Sequence, residues 1–144
     1  MKQSPKSILG VTLLEIMLVL AIAAVVIMTS VKFYKGASAS QQSGAYLEQV
    51  QTIITAADTL AQGASAYAAV TQAAVSANLG GSQYMGTQWG SFSFNTPANG
   101  ATSYTITYPA NVPTAIWTAV NAQLSANPRI VTITSAGFTY DSTK

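Results

Sequence analysis

The 144-residue chain has few side chains that could do chemistry, since it contains no histidine and no cysteine and only four carboxylates, Glu15, Glu48, Asp58 and Asp141. These acids are scattered, and no His or Cys can serve as base, nucleophile or soft metal ligand, which argues against acid–base or covalent catalysis and against a zinc site. The many Ser and Thr residues have no evident activating partner. No catalytic residue, metal or cofactor is expected. Trp89, Trp117 and the seven tyrosines read as packing in a sheet and a helix rather than as a ligand platform. Glu15 is the exception, because it stands near the start of the apolar run 11–31 (VTLLEIMLVLAIAAVVIMTSV), which has no basic side chain to pair with it. A carboxylate in such a segment is costly without a partner.

That run defines the first element. At about 1.5 Å per residue, 21 helical residues just span a hydrocarbon core of about 30 Å. Residues 1–10 (MKQSPKSILG) precede it, and Lys2 and Lys6 are expected to stay cytoplasmic. An ordinary signal peptide with residues 16–28 as its apolar core and small residues at Ala21, Ala23 and Ala24 is the blander reading, as is a plain anchor. The first does not need a carboxylate at that place, and the second leaves both Gly10 and Glu15 unexplained.

Charged residues make up only 7% of the chain, which suits a membrane or assembly protein better than a freely soluble enzyme. Lys2 and Lys6 account for all of the formal charge of +2, since Lys32, Lys35, Arg129 and Lys144 balance the four acids. No basic cluster is available to neutralise several phosphates, so nucleic acid is not an expected partner. Without cysteine, stability must come from packing and neighbouring subunits.

Beyond Lys32 the helical period continues in a polar setting. Tyr46, Leu47, Val50, Ile53, Ile54, Ala57, Leu60 and Ala61 form one apolar stripe, which predicts a single long helix from about residue 11 to residue 60. Gly36 and Gly44 are its weakest points, and Gly63 is a C-terminal stop. Residues 64–81 read as a connector with a short helix at 71–78 ended by Gly80 and Gly81. The runs 91–95 (SFSFN) and 103–108 (SYTITY) alternate with period two and predict an antiparallel hairpin. Residues 112–127 return to helical spacing, with Pro113 suited to the first turn. Residues 129–135 (RIVTITS) predict a third strand, which 137–140 extend or bend around Gly137. The expected fold is α+β: a leader at 1–10, a long helix at 11–63, and a head at 64–144 whose small antiparallel sheet lies on the amphipathic half of the helix. Val50, Ile53, Ile54, Leu60 and Trp117 are expected to be buried between the two, and the Ser/Thr-rich strand faces to be solvated.

Gly10 followed by Val-Thr-Leu-Leu-Glu-Ile-Met-Leu-Val-Leu resembles the processing and assembly signature of type IV pilins, in which a dedicated peptidase cuts after Gly and the fifth mature residue is Glu. The resemblance implies Gly10 and Val11 as the processing site, with Val11 as the new N-terminus. It also implies Glu15 as the assembly carboxylate, paired with the Val11 amine of an adjacent subunit. Gln88-Trp89-Gly90 and the run 104–119 around Tyr108-Pro109-Ala110-Asn111-Val112-Pro113 are similar to type IVb pilins, including the thin-pilus subunits of conjugative systems. Those pilins usually close the C-terminal region with a disulfide, which this sequence, having no cysteine, cannot do. The implied partners are copies of the chain in a helical filament, a prepilin peptidase that also methylates the new N-terminus, and an assembly ATPase with its platform protein. The implied locations are the inner membrane for the precursor and an extracellular pilus for the assembled form, serving adhesion, motility or mating contact. A type II secretion pseudopilin and a single-pass anchored binding module are the alternatives.

Overall fold

In the computed structural model of the chain, the described residues are 13–62, 67, 70–96 and 102–144. They fall into two compact units divided between Ser38 and Ala39. Helix α1, Leu13–Ala61, runs through this division without interruption. Gly36 and Gly44, the expected weakest points of the helix, are both helical, and a methyl group at either would meet nothing within 4 Å. The turns on either side of each glycine therefore carry it, at a cost of about 1 kcal/mol relative to alanine. The expected stop at Gly63 lies outside the described residues.

In the first unit α1 exposes every side chain from Leu13 to Ala37. Its two hydroxyls near the end of the apolar run are satisfied within the helix: Thr29 Oγ1 donates to the carbonyls of Val25 and Val26, and Ser30 Oγ to that of Val26 at 2.8 Å. The run thus offers its surroundings no unpaired hydroxyl at this end, which suits an apolar medium.

In the second unit α1 turns one stripe inward, with Ser43, Tyr46, Val50, Ile53, Ala56 and Ala57 buried at helical spacing. Ile54 and Leu60 are half-buried at the edge of this stripe, and Trp117 is half-buried against the core, so these three are core margin rather than the expected core. The short helix α2, Gln72–Asn78, is capped at both ends. Thr71 accepts from the Ala74 N–H, while the Gly81 and Gly80 N–H groups donate to the Ser76 and Ala77 carbonyls. This is the paired C-terminal arrangement that requires a left-handed residue, supplied by Gly80 at φ +92°.

A 3-10 turn at Ser82–Met85 leads into a two-stranded ladder of β1 (Gly86–Thr87) and β2 (Gly90–Ser91) that the alternating pattern did not announce. The expected strand at 91–95 is consequently split. Phe92 is buried and its N–H bonds the Met85 carbonyl, so β2 pairs backward with β1 while β3 (Ser93–Asn95) pairs forward with β4 (Ser103–Thr107). The β3–β4 pairing is the predicted hairpin, with Phe94 opposite Ile106. Helix α3, Thr114–Leu124, is shorter than expected, and Pro113 occupies its N-cap rather than its first turn.

Residues 129–140 are two strands rather than one. β5 (Ile130–Thr134) turns at Ser135–Ala136 and returns as β6 (Gly137–Asp141), which lies between β5 and β4 in the sheet order β3-β4-β6-β5. The turn is held by Thr134 Oγ1, which donates to the Gly137 carbonyl at 3.0 Å, and Gly137 is the residue that makes it possible. Its φ of +156° and a virtual Cβ only 2.1 Å from the Ile106 carbonyl oxygen leave room for no side chain.

The sheet buries one face. Phe94, Tyr104, Ile106, Phe138 and Tyr140 join the α1 stripe and Ile116, Val120 and Leu124 of α3 in one core. Thr105, Thr107, Thr132, Thr134 and Thr139 occupy the alternate positions, half-buried or exposed, as the period-two pattern requires.

Candidate functional site: an apolar helix with one carboxylate, and a clasped head

Glu15 lies in the first turn of the described part of α1 and is exposed there. The next charged residue along the helix is Lys32. Between them Ile16, Leu18, Leu20, Ile22, Val26 and Met28, with their neighbours, leave about half or more of their surface uncovered. A contiguous apolar surface of this kind marks a membrane or an association site. The helix is long and apolar enough to cross a membrane. Gly10 and Val11, the other two residues singled out by the sequence, lie outside the described residues.

The second unit contains a polar cluster that sequence reasoning missed. Asp58, half-buried on α1, accepts hydrogen bonds at its two oxygens from two tyrosines: Tyr67 at Oδ1, and Tyr140 of β6 at Oδ2, 3.0 Å away. Arg129, just ahead of β5, donates from Nη1 to the Tyr140 hydroxyl at 3.0 Å. The carboxylate thereby ties the last turn of α1 to the C-terminal strand across 82 residues of sequence. Burial first, then the Asp58 hydrogen bond and charge, push the Tyr67 hydroxyl well above its ordinary value. Burial likewise raises Tyr140, and the Arg129 hydrogen bond opposes it. Asp58 recurs at helical spacing with the apolar residues Ile54 and Ala61, and that lone charge beside the stripe was the available signal.

Tyr104 stacks on Tyr140 with ring centres 5.0 Å apart and meets Tyr67 edge-on at 4.9 Å, and its buried hydroxyl lacks a hydrogen-bond partner. Tyr46 is similar: its ring touches Trp89, Phe92 and Tyr108 while its hydroxyl is buried and unpartnered. Tyr108 is satisfied, donating to Asn121 Oδ1 of α3 at 2.8 Å, and Asn121 in turn donates to the Thr134 carbonyl. Tyr46, Tyr67, Tyr104, Tyr108, Tyr140 and Trp89 thus knit helix to sheet as expected, whereas Tyr34 and Tyr84 are exposed rather than packed. A groove of about 610 Å³, lined by Gln42, Tyr46, Glu48, Gln49, Tyr84 and Trp89 among others, carries a single carboxylate. Among the described residues no group of three or more His, Cys, Asp or Glu could hold a metal ion.

The described chain is an α+β protein whose long N-terminal helix is apolar in its first half and packed on a small antiparallel sheet in its second. This arrangement is compatible with the pilin fold. Compared with known proteins, the chain matches no family model, no curated protein and no solved structure.

Proposed function

We propose that the chain is a type IV pilin-like structural subunit, held in the inner membrane as a precursor and polymerised through its N-terminal helix into an extracellular filament. The observation that carries this reading is the exposure of α1 from Leu13 to Tyr34, apolar throughout apart from Glu15, Thr29, Ser30 and Lys32. Such a surface needs covering both before and after assembly. Lipid covers it in the precursor, and copies of the same helix cover it in the filament core. Between helices leaving lipid there is no hydrophobic gain, so association depends on close packing and polar pairing. Ala21, Ala23 and Ala24 allow the first, and Glu15 supplies the second.

Cleavage after Gly10 frees the Val11 amine four residues from Glu15. With a reference pKa of about 8 the amine is mostly protonated at neutral pH, so it can neutralise Glu15 of an adjacent subunit. That pair sets the axial register of one helix against the next. The partners of this reading are other copies of the chain, a prepilin peptidase that also methylates Val11, and an assembly ATPase with its platform protein. It needs no catalysis and no cofactor.

N-terminal sequencing of the mature chain tests the reading directly. The expected start is Val11, whereas a chain starting at Met1 or cut near Ala24 refutes it. Electron micrographs should show long surface fibres, which a short periplasmic pseudopilus does not give. Glu15→Val is expected to insert and be processed while adding subunits poorly. Fibres of normal number and appearance would remove the pairing from the mechanism.

A further inference from the structure

Immediately after the apolar run, α1 carries Lys32-Phe33-Tyr34-Lys35. Successive helical residues are about 100° apart, so these four positions complete a full turn and place cations and aromatic rings around the whole circumference. All four are exposed, Phe33 at 79% and Tyr34 at 76%. Thr29 and Ser30, one turn earlier, have already returned their hydroxyls to the helix carbonyls. Lys32 is therefore the first side chain after Glu15 that demands water or a counter-charge. Gly36, Ala37 and Ser38 follow, and none of them favours hydrocarbon strongly.

We infer that Lys32-Phe33-Tyr34-Lys35 is an interfacial anchor that engages the phosphates of lipid headgroups on the side where residues 36–144 emerge, and so holds Glu15 within the opposite edge of the hydrocarbon. This rests on the membrane-inserted precursor proposed above and fixes its depth. The Tyr34 ring with its polar tip favours the headgroup level, Phe33 adds apolar contact beside it, and the lysines extend their ammonium groups to phosphate while their stems stay in hydrocarbon.

The geometry then determines the other end. The α-carbons of Glu15 and Tyr34 are about 28 Å apart along the helix, about 2 Å short of a hydrocarbon core of about 30 Å, and any tilt widens the gap. With the Tyr34 ring at the headgroup level, Glu15 therefore lies just inside the opposite edge of a tilted helix's hydrocarbon span. Two ammonium groups and two aromatic rings outweigh one carboxylate, so the shortfall falls on Glu15. A carboxylate held below the interface has a standing need for a cationic partner, which the waiting monomer carries into assembly.

Because the chain has no cysteine, single cysteines carrying a nitroxide can report depth in the full-length protein. Labels at Leu14, Ala24, Val31 and Ser38 would be read by oxygen against nickel-complex accessibility in phosphatidylcholine–phosphatidylglycerol vesicles. The expected profile has Ala24 deepest, Leu14 and Val31 in shallow hydrocarbon, and Ser38 in water. Replacing the turn by Lys32→Ala, Phe33→Ala, Tyr34→Ala and Lys35→Ala together should draw Ser38 toward the hydrocarbon and lift Leu14 to the headgroups. Vesicles of a galactosyl lipid without phosphate should shift the parent chain the same way. An unchanged profile in the fourfold variant overturns the anchor, and an unchanged profile without phosphate overturns the phosphate contact. A chain that does not enter vesicles at all overturns the membrane precursor beneath both, which N-terminal sequencing of the cellular protein tests separately.

Discussion

Asp58 joins elements that the chain separates by 82 residues, so its removal is the sharpest test of how a head without disulfides is held closed. Asp58→Ala deletes the acceptor of two tyrosine hydroxyls. A hydrogen bond to a charged group contributes about 1.5–3 kcal/mol, which would give about 3–6 kcal/mol for the pair if the orphaned hydroxyls stayed dry. Asp58 is only half-buried, so water reaches part of the space, and we expect a loss of about 2–4 kcal/mol. For a domain of about 100 residues that lowers the melting temperature by roughly 10–20 °C. Asp58→Asn keeps the shape and one acceptor and should cost about 1 kcal/mol.

The assay is thermal melting of the full-length protein in detergent, followed by tryptophan fluorescence, because Trp89 and Trp117 both lie in the second unit and the apolar helix is silent. Tyr140→Phe combined with Asp58→Ala should be less damaging than the sum of the two, by about 1 kcal/mol, since each removes the same bond. Melting of Asp58→Ala within 2 °C of the parent (roughly 0.5 kcal/mol or less), or strict additivity in the cycle, would refute the clasp.

Ile53→Ala, at a position with no exposed surface, should cost about 2–5 kcal/mol, whereas Ile54→Ala at the half-buried margin should cost well under half as much; equal melting temperatures would show that the stripe is assigned wrongly. Gly137→Ala drives a methyl group against the Ile106 carbonyl and the Thr107 backbone, so a loss of about 3 kcal/mol or more is expected, and parent-like melting would contradict the β4–β6 packing. The buried hydroxyls of Tyr46, Tyr67, Tyr104 and Tyr108 are all raised above the ordinary value of 10.0, chiefly by burial. A raised value means that the folded head holds protons the unfolded chain gives up, so stability is complete below about pH 10 and falls as pH rises beyond it. Urea midpoints measured from pH 8 to 11.5 should be level and then decline, and a flat profile would contradict tyrosine burial.

What the residues determined by themselves is what depends on local repetition. A 21-residue predominantly apolar run, a stripe at three- and four-residue steps, and alternation in 103–108 each repeat a preference often enough to outvote exceptions such as Gly36 and Gly44. The conspicuous carboxylate at Glu15 was legible for the same reason, as one charge against an apolar background. Tertiary structure alone decided matters in which a residue answers to something distant. Phe92 breaks a well-patterned strand because its N–H is claimed by Met85, and Gly137 starts a new strand because the backbone of β4 lies where a side chain would go. Ile53 rather than Ile54 became core because the stripe's centre line, and not hydrophobicity, selects the face turned to the sheet. Asp58 found its partners at Tyr67 and Tyr140 only once α1 and β6 were packed, because a hydrogen bond is short and directional and leaves no period in the sequence.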